Sequence, residues 1–132
     1  MEMRIQLALN VSNLDAAVEY YSRLFGASPH KRRPGYANFS IDAPPLKLVL
    51  FEQSGATERL NHLGVEVTGG AQLDDAETRL RLSHLITSNR STSICCHAEQ
   101  DKFWSAGPDG ERWEWYRITD DQPEERRTSC CT

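Results

Sequence analysis

A chain of 132 residues with 15 Lys and Arg against 19 Asp and Glu has room for one domain with a usable core and a modest net charge of −4. Its basic residues gather nowhere beyond Lys31-Arg32-Arg33, which argues against nucleic acid as the main partner. Residues 1–10 alternate apolar and polar types rather than forming the apolar core of an export signal, and no run approaches a membrane span, so a cytoplasmic protein is the expectation.

In chain order, Ile5 to Val11 alternates with period two and reads as a strand. Ile5, Leu7 and Leu9 make its apolar face, while Arg4, Gln6, Ala8 and Asn10 take the other. Ser12 or Asn13 can then cap a helix in which Leu14, Ala17, Val18, Tyr21, Leu24 and Phe25 form one apolar stripe. Gly26 suits the position past its end, and Pro29 prevents continuation. Strand-like runs follow at about 27–32, 37–41 and 46–52, separated by Pro34-Gly35 and Ala43-Pro44-Pro45. Asn61 to Val67 then repeats the pattern of residues 5–11, with His62 at the place of Gln6, an offset of 62 − 6 = 56. A weaker stripe, Leu73, Ala76 and Leu80, marks a second helix over 71–82, entered from Gly69-Gly70. Further strand-like runs lie at about 85–88, 93–99, 102–106 and 112–118, with a turn at Gly107-Pro108-Asp109-Gly110. The expected fold is α+β: two tandem βαβββ modules, about 3–53 and about 60–118, forming a curved mixed sheet around a metal-binding cavity. Residues 119–132 are polar, lack periodicity and are expected to fray.

Period-two alternation also orients the candidate chemistry. Gln6 and His62 occupy equivalent positions in the two repeats, and Glu114 shares a face with Arg112 and Tyr116, opposite Trp113 and Trp115. One amide oxygen, one imidazole nitrogen and one carboxylate suit a borderline divalent metal, and three protein ligands leave coordination positions open. Each residue alone also reads as an ordinary packed or exposed strand residue; the shared parity and the repeat equivalence set the three apart. Matching the strand ends of the two halves places Leu48 opposite Glu114, which would leave the first half without a carboxylate ligand; Glu52, at the strand exit, is a weaker candidate for a fourth.

Cysteines come as two adjacent pairs, Cys95-Cys96 and Cys130-Cys131. Adjacent cysteines bridge only through a strained ring, so free thiols are expected. Neither pair has the spacing of a structural zinc site. Cys95 and Cys96 also read as small buried hydrophobes.

Several runs carry a family resemblance: Gln6-Leu7-Ala8-Leu9-Asn10-Val11, Arg33-Pro34-Gly35-Tyr36-Ala37-Asn38-Phe39, Pro44-Pro45-Leu46-Lys47-Leu48-Val49-Leu50, Asn61-His62-Leu63-Gly64-Val65-Glu66-Val67, Cys95-Cys96, Gln100-Asp101-Lys102 and Gly110-Glu111-Arg112-Trp113-Glu114. With its duplicated modules, the chain resembles the glyoxalase, bleomycin-resistance and extradiol-dioxygenase superfamily. Within it, the chain looks most like the carbon–arsenic lyases and cadmium-induced proteins. The resemblance covers about residues 3–118. It implies an Fe(II) enzyme that uses dioxygen to cleave the bond between carbon and trivalent arsenic in methylarsenite and reduced aromatic arsenicals, releasing inorganic arsenite. Carried over by position, Gln6, His62 and Glu114 would be the iron ligands, and Cys95 and Cys96 the arsenic-binding thiols. His97-Ala98-Glu99 and Phe103 depart from the family pattern around the substrate segment.

Trivalent arsenic is thiophilic, so two thiols can chelate a monosubstituted arsenical and leave its carbon group free. Adjacent strand residues point to opposite faces, so the pair needs a bulge, a loop or a strand end around 93–97, and a flap that orders on substrate would supply one. Lys102, His97, Tyr36 and Arg112 are candidates for orienting oxygen or a substituent, and Trp104, Trp113 and Trp115 for walling the site. Cys130-Cys131 either captures arsenical or has no role. Two other readings stand beside the lyase: a fosfomycin-type metal-dependent thiol transferase, and a non-catalytic binder of cadmium or arsenite. The expected partner is a small organoarsenical, without nucleic acid or membrane; because some relatives pair modules between chains, a homodimer stays open.

Overall fold

The computed structural model describes residues 3–95 and 97–123, Cys95 by its backbone alone. The chain forms two compact units, one of Arg4–Leu63 and one that starts at Gly64. The elements are β1 (Met3–Val11), α1 (Leu14–Phe25), β2 (Lys31–Arg33), β3 (Tyr36–Ile41) and β4 (Leu46–Glu52), then β5 (Leu60–Val67), α2 (Gly70–Leu82), β6 (Ile86–Cys95), β7 (Ala98–Ala106) and β8 (Arg112–Asp120). That order is βαβββ twice, an α+β fold.

In the first unit the strand order is β2-β3-β4-β1, with β1 parallel to β4 and the other pairs antiparallel. Asn13 caps α1, its side-chain oxygen accepting from the Ala16 amide at 3.0 Å. A carboxylate oxygen of Glu52 accepts from the Leu14 amide at 2.8 Å, which satisfies another free donor of the first turn. Gly26 ends the helix at φ 63°, a left-handed conformation that a side chain disfavours. The apolar stripe meets one face of the sheet: Leu14 and Val18 pack with Ala37, Phe39, Ile41, Leu48 and Leu50, flanked by Leu7 and Leu9. Leu24 and Ile5 are exceptions to the expected apolar faces, 54% and 46% exposed, because each lies at the margin of its stripe.

In the second unit β8-β7-β6 is an antiparallel run. The Gln72 side chain turns back to accept from the Gly69 amide at 2.9 Å and opens α2. Leu73, Ala76 and Leu80 pack on Val65, Val67 and Phe103, with Trp113, Trp115 and Ile86 at the edge.

Three boundaries differ from the expectation. The strand expected at 27–32 starts only at Lys31, since Pro29 has no N–H to give a ladder. The two runs expected at 85–88 and 93–99 are parts of β6 and β7: β6 continues through the polar Asn89 to Thr92, with register shifts against β7 between Ile86 and Ser91. Those residues lack apolar alternation because ladder hydrogen bonds and Arg90 ion pairs hold the strand in its place. The tail begins later than 119, as β8 runs to Asp120, which pairs with Glu99. Among the described residues no helix is long and apolar enough to cross a membrane.

Candidate metal and substrate site

The face of the first sheet opposite α1 is unusually polar for a buried surface. Tyr36, Asn38, Val49, Phe51, Ala8 and Asn10 share it through the β3–β4 and β1–β4 registers, and Gln6 and Lys47 pair on the same face. Gln6, Asn10, Asn38 and Lys47 are all buried there, as is Lys31 on β2. His62, on β5, is 2% exposed, and its Nε2 lies 3.2 Å from Gln6 Nε2. The other ring nitrogen, Nδ1, lies 2.8 Å from Asn61 Oδ1. An amide oxygen only accepts, so Nδ1 carries the proton and Nε2 presents a lone pair beside Gln6. Phe51 packs its ring 6.4 Å from the His62 ring and 5.6 Å from that of Tyr36. The Tyr36 hydroxyl accepts from Asn38 Nδ2 at 2.8 Å.

In the second unit Glu114 is 2% exposed and takes a hydrogen bond from Lys102 Nζ to Oε2 at 2.5 Å. Glu114 pairs with Trp104, and Lys102 with Tyr116, so these four share one face of β7 and β8. Lys102 lies 6.0 Å, and Arg112 5.0 Å, from the Trp104 ring. Trp113 and Trp115 belong to the opposite face under α2, which removes them as site walls.

The donors fit a divalent metal by their chemistry. His62 has its Nε2 lone pair set by a second partner on Nδ1, the arrangement that metal-bound histidines use. Gln6 Nε2 donates to that lone pair, so the Gln6 amide must turn its oxygen inward to act as a ligand; in the second unit Glu114 is a buried carboxylate that accepts from Lys102. Among the described residues no group of three or more His, Cys, Asp and Glu gathers.

Two residues weighed for coordination have other work. Leu48 is 1% exposed in the core beneath α1, whereas Glu114 lies on the face of β8 opposite Trp113 and Trp115 and so away from α2, so the expected match of Leu48 to Glu114 joins opposite faces. Glu52 caps α1, which excludes the use as a ligand suggested by its place at the strand exit.

Of the thiols expected to bind substrate, only the backbone of Cys95 is described. β6 ends at Cys95, whose backbone pairs with Ala98, and His97 has φ 68°, so this segment is a strand end rather than a regular strand. Cys96, Cys130 and Cys131 lie outside the described residues. Arg112 is exposed and stacks on Trp104, and His97 is half-buried at the turn. The sequence reading missed Asn61 and Asn10 as functional candidates; Asn10 shares the Gln6 face by parity, but an asparagine in a strand carries no signal of its own.

The sequence model of the Glyoxalase/Bleomycin resistance protein/Dioxygenase superfamily matches residues 5–115. The cadmium-induced protein CadI of Mycobacterium tuberculosis is 53% identical over 118 residues, 89% of this chain and 78% of that protein. A trivalent organoarsenical cleaving enzyme of Thermomonospora curvata is 50% identical over 133 aligned positions, 98% of this chain and 88% of that protein. Among solved structures, the Mn(II)-bound glyoxalase of Novosphingobium aromaticivorans aligns over 96% of this chain and 42% of its own, with TM-score 0.65 and 15% identity. A catechol 2,3-dioxygenase aligns over 98% of this chain and 44% of its own, with TM-score 0.57 and 18% identity; these two support the fold alone. The chain belongs to the glyoxalase/bleomycin resistance/dioxygenase superfamily, in the branch of the cadmium-induced proteins and the trivalent organoarsenical cleaving enzymes.

Proposed function

We propose that this protein cleaves the bond between carbon and trivalent arsenic in organoarsenicals and releases inorganic arsenite, with dioxygen as co-substrate and Fe(II) held by Gln6, His62 and Glu114. The observation that carries the reading is the buried Gln6–His62 contact, in which the His62 Nε2 lone pair accepts from Gln6 and is the one a metal would take, in a chain half identical to an organoarsenical cleaving enzyme. When bound, the iron supplies the activation of dioxygen, which organic and thiol groups cannot. Lys102 holds one Glu114 oxygen and so orients the carboxylate. Cys95 and Cys96 take the arsenical by exchanging its two As–O bonds for As–S bonds, with release of two waters. The As–C bond then stays in a fixed place, which is catalysis by positioning. The substrate is a small molecule, and the reading implies a cytoplasmic role in arsenic detoxification.

A second reading has support from the CadI relatives, whose name marks induction by cadmium: a binder that sequesters a thiophilic ion without turnover. Anaerobic loading with Fe(II), followed by oxygen and methylarsenite and by speciation of the arsenic, separates the two. The lyase yields inorganic arsenite. Bound iron without arsenite production sinks the lyase reading. Cys95→Ser abolishes turnover while iron stays bound; full turnover in that variant would remove the chelation step.

A further inference from the structure

A chain of amides runs from His62 to a backbone carbonyl, and every orientation along it follows from that carbonyl. The Glu58 carbonyl oxygen can only accept. The Asn10 side chain meets it at 3.0 Å and must present Nδ2. Asn10 Oδ1 is thereby turned to accept from Asn61 Nδ2, also at 3.0 Å. Asn61 Oδ1 in turn faces His62 Nδ1 at 2.8 Å. The nitrogen opposite an amide oxygen has to be the protonated one, so neutral His62 is held with its proton on Nδ1.

The links constrain one another. Turning the Asn61 amide over would bring its oxygen against Asn10 Oδ1. Turning Asn10 over as well would set its oxygen against the Glu58 carbonyl. Any single reversal leaves two acceptors facing each other in a partly buried place, at a cost of the order of a lost hydrogen bond with its desolvation. The anchor is itself held: the Asn10 amide donates to the Arg59 carbonyl at 2.7 Å, and Arg59 Nη1 donates to the Asn10 carbonyl at 3.2 Å.

We propose that Asn61 and Asn10 are positioning residues that keep His62 in the Nδ1–H tautomer and so present Nε2 to the metal. The proposal rests on the reading of His62 as a metal ligand, and it deepens that reading by naming what makes the ligand nitrogen available. A histidine free to choose would spend part of its time with Nε2 protonated, and that fraction would be unable to bind metal.

The test uses the full chain in metal-free form, labelled with nitrogen-15, with His62→Ala to assign the ring signals. Long-range proton–nitrogen correlation spectra report which ring nitrogen of neutral His62 is protonated. The wild type shows Nδ1 protonated. Asn61→Leu moves population to the Nε2–H tautomer and weakens Fe(II) binding by about 10- to 100-fold, the usual effect of losing such a partner. Asn61→Asp keeps an acceptor opposite Nδ1 but loses the donor to Asn10 Oδ1, and its retention of the wild-type tautomer despite that local disturbance shows that the acceptor sets the proton. Asn10→Ala, which frees the Asn61 amide, gives a mixture of tautomers. An Nε2–H tautomer in the wild type, or unchanged tautomer and Fe(II) affinity in Asn61→Leu, overturns the relay. A wild type with Nδ1 protonated that binds no Fe(II) overturns the metal reading instead, and with it the use assigned to the relay.

Discussion

Lys102 and Glu114 form an ion pair with side chains only 5% and 2% exposed. Removing one member of such a pair leaves the other as an uncompensated buried charge, which costs far more than the pair itself contributes. Lys102→Met therefore lowers the unfolding free energy of the metal-free protein by about 3–5 kcal/mol. Adding Glu114→Gln removes the stranded charge and recovers most of that loss. Urea unfolding of the wild type, Lys102→Met and the double variant checks this, and equal stability of the first two would show that the pair is solvated. The sequence made Glu114 legible by parity alone, because strand alternation separates it from Trp113 and Trp115. Lys102 was only one of four orienting candidates, and its partner twelve residues away is set by the β7–β8 register, which no local pattern encodes. The same limit misplaced Leu48: loops of unequal length blur an alignment by one residue, and in a strand one residue changes the face.

Helix α1 was readable because each of its signals is local: a capping asparagine, a stripe at helical spacing, a glycine at the end. Those signals carry measurable stability. Asn13→Ala removes the acceptor for the Ala16 amide and lowers stability by about 1 kcal/mol. Gly26→Ala forces a side chain into φ 63° and costs about 1 kcal/mol as well. Thermal or urea unfolding measures both, and Gly55→Ala serves as a control at a glycine with open space and no positive φ. Strand β6 was only half readable, because its middle is held by charge. Arg90 makes two hydrogen bonds to Asp101, at 3.0 and 2.8 Å, and also reaches Asp74 and Glu77 on α2. The bond from Arg90 holds the Asp101 carboxyl below its ordinary range, against burial, which acts the other way; Arg117 adds to the lowering. A carboxyl with a lowered folded pKa stabilises the protein above its unfolded value and loses that contribution as pH falls through the folded one. The stability advantage of the wild type over Asp101→Asn is therefore full near neutral pH and shrinks as pH drops below about 4. Comparing denaturant midpoints of the two proteins across that range tests it. A difference that stays constant across that range would mean that Asp101 contributes no charge to the clip.

At the scale of the whole chain the duplication was the strongest signal, since a fixed offset of 62 − 6 = 56 residues brought two strands, two helices and two candidate ligands into equivalence. The offset also explains which ligands the sequence could suggest. Gln6 and His62 are counterparts, whereas Glu114 has no carboxylate counterpart: the first module carries Lys47 on the corresponding face. The proposed ligand set of Gln6, His62 and Glu114 is thus a departure from the repeat, and it has a consequence for stability. A metal that binds the folded chain and not the unfolded one stabilises it by mass action, about 2.7 kcal/mol when free metal is 100 times its dissociation constant. For a chain of this size that corresponds to a rise in the unfolding temperature of roughly 10 °C. Anaerobic thermal unfolding with and without Fe(II) measures the rise in the wild type. If the three residues act as one set, His62→Ala, Gln6→Ala and Glu114→Gln each remove most of it, whatever they do to the metal-free midpoint. Chelation of the iron returns the wild type to its metal-free midpoint. A shift that survives Glu114→Gln while vanishing in His62→Ala would place the metal on Gln6 and His62 without the carboxylate.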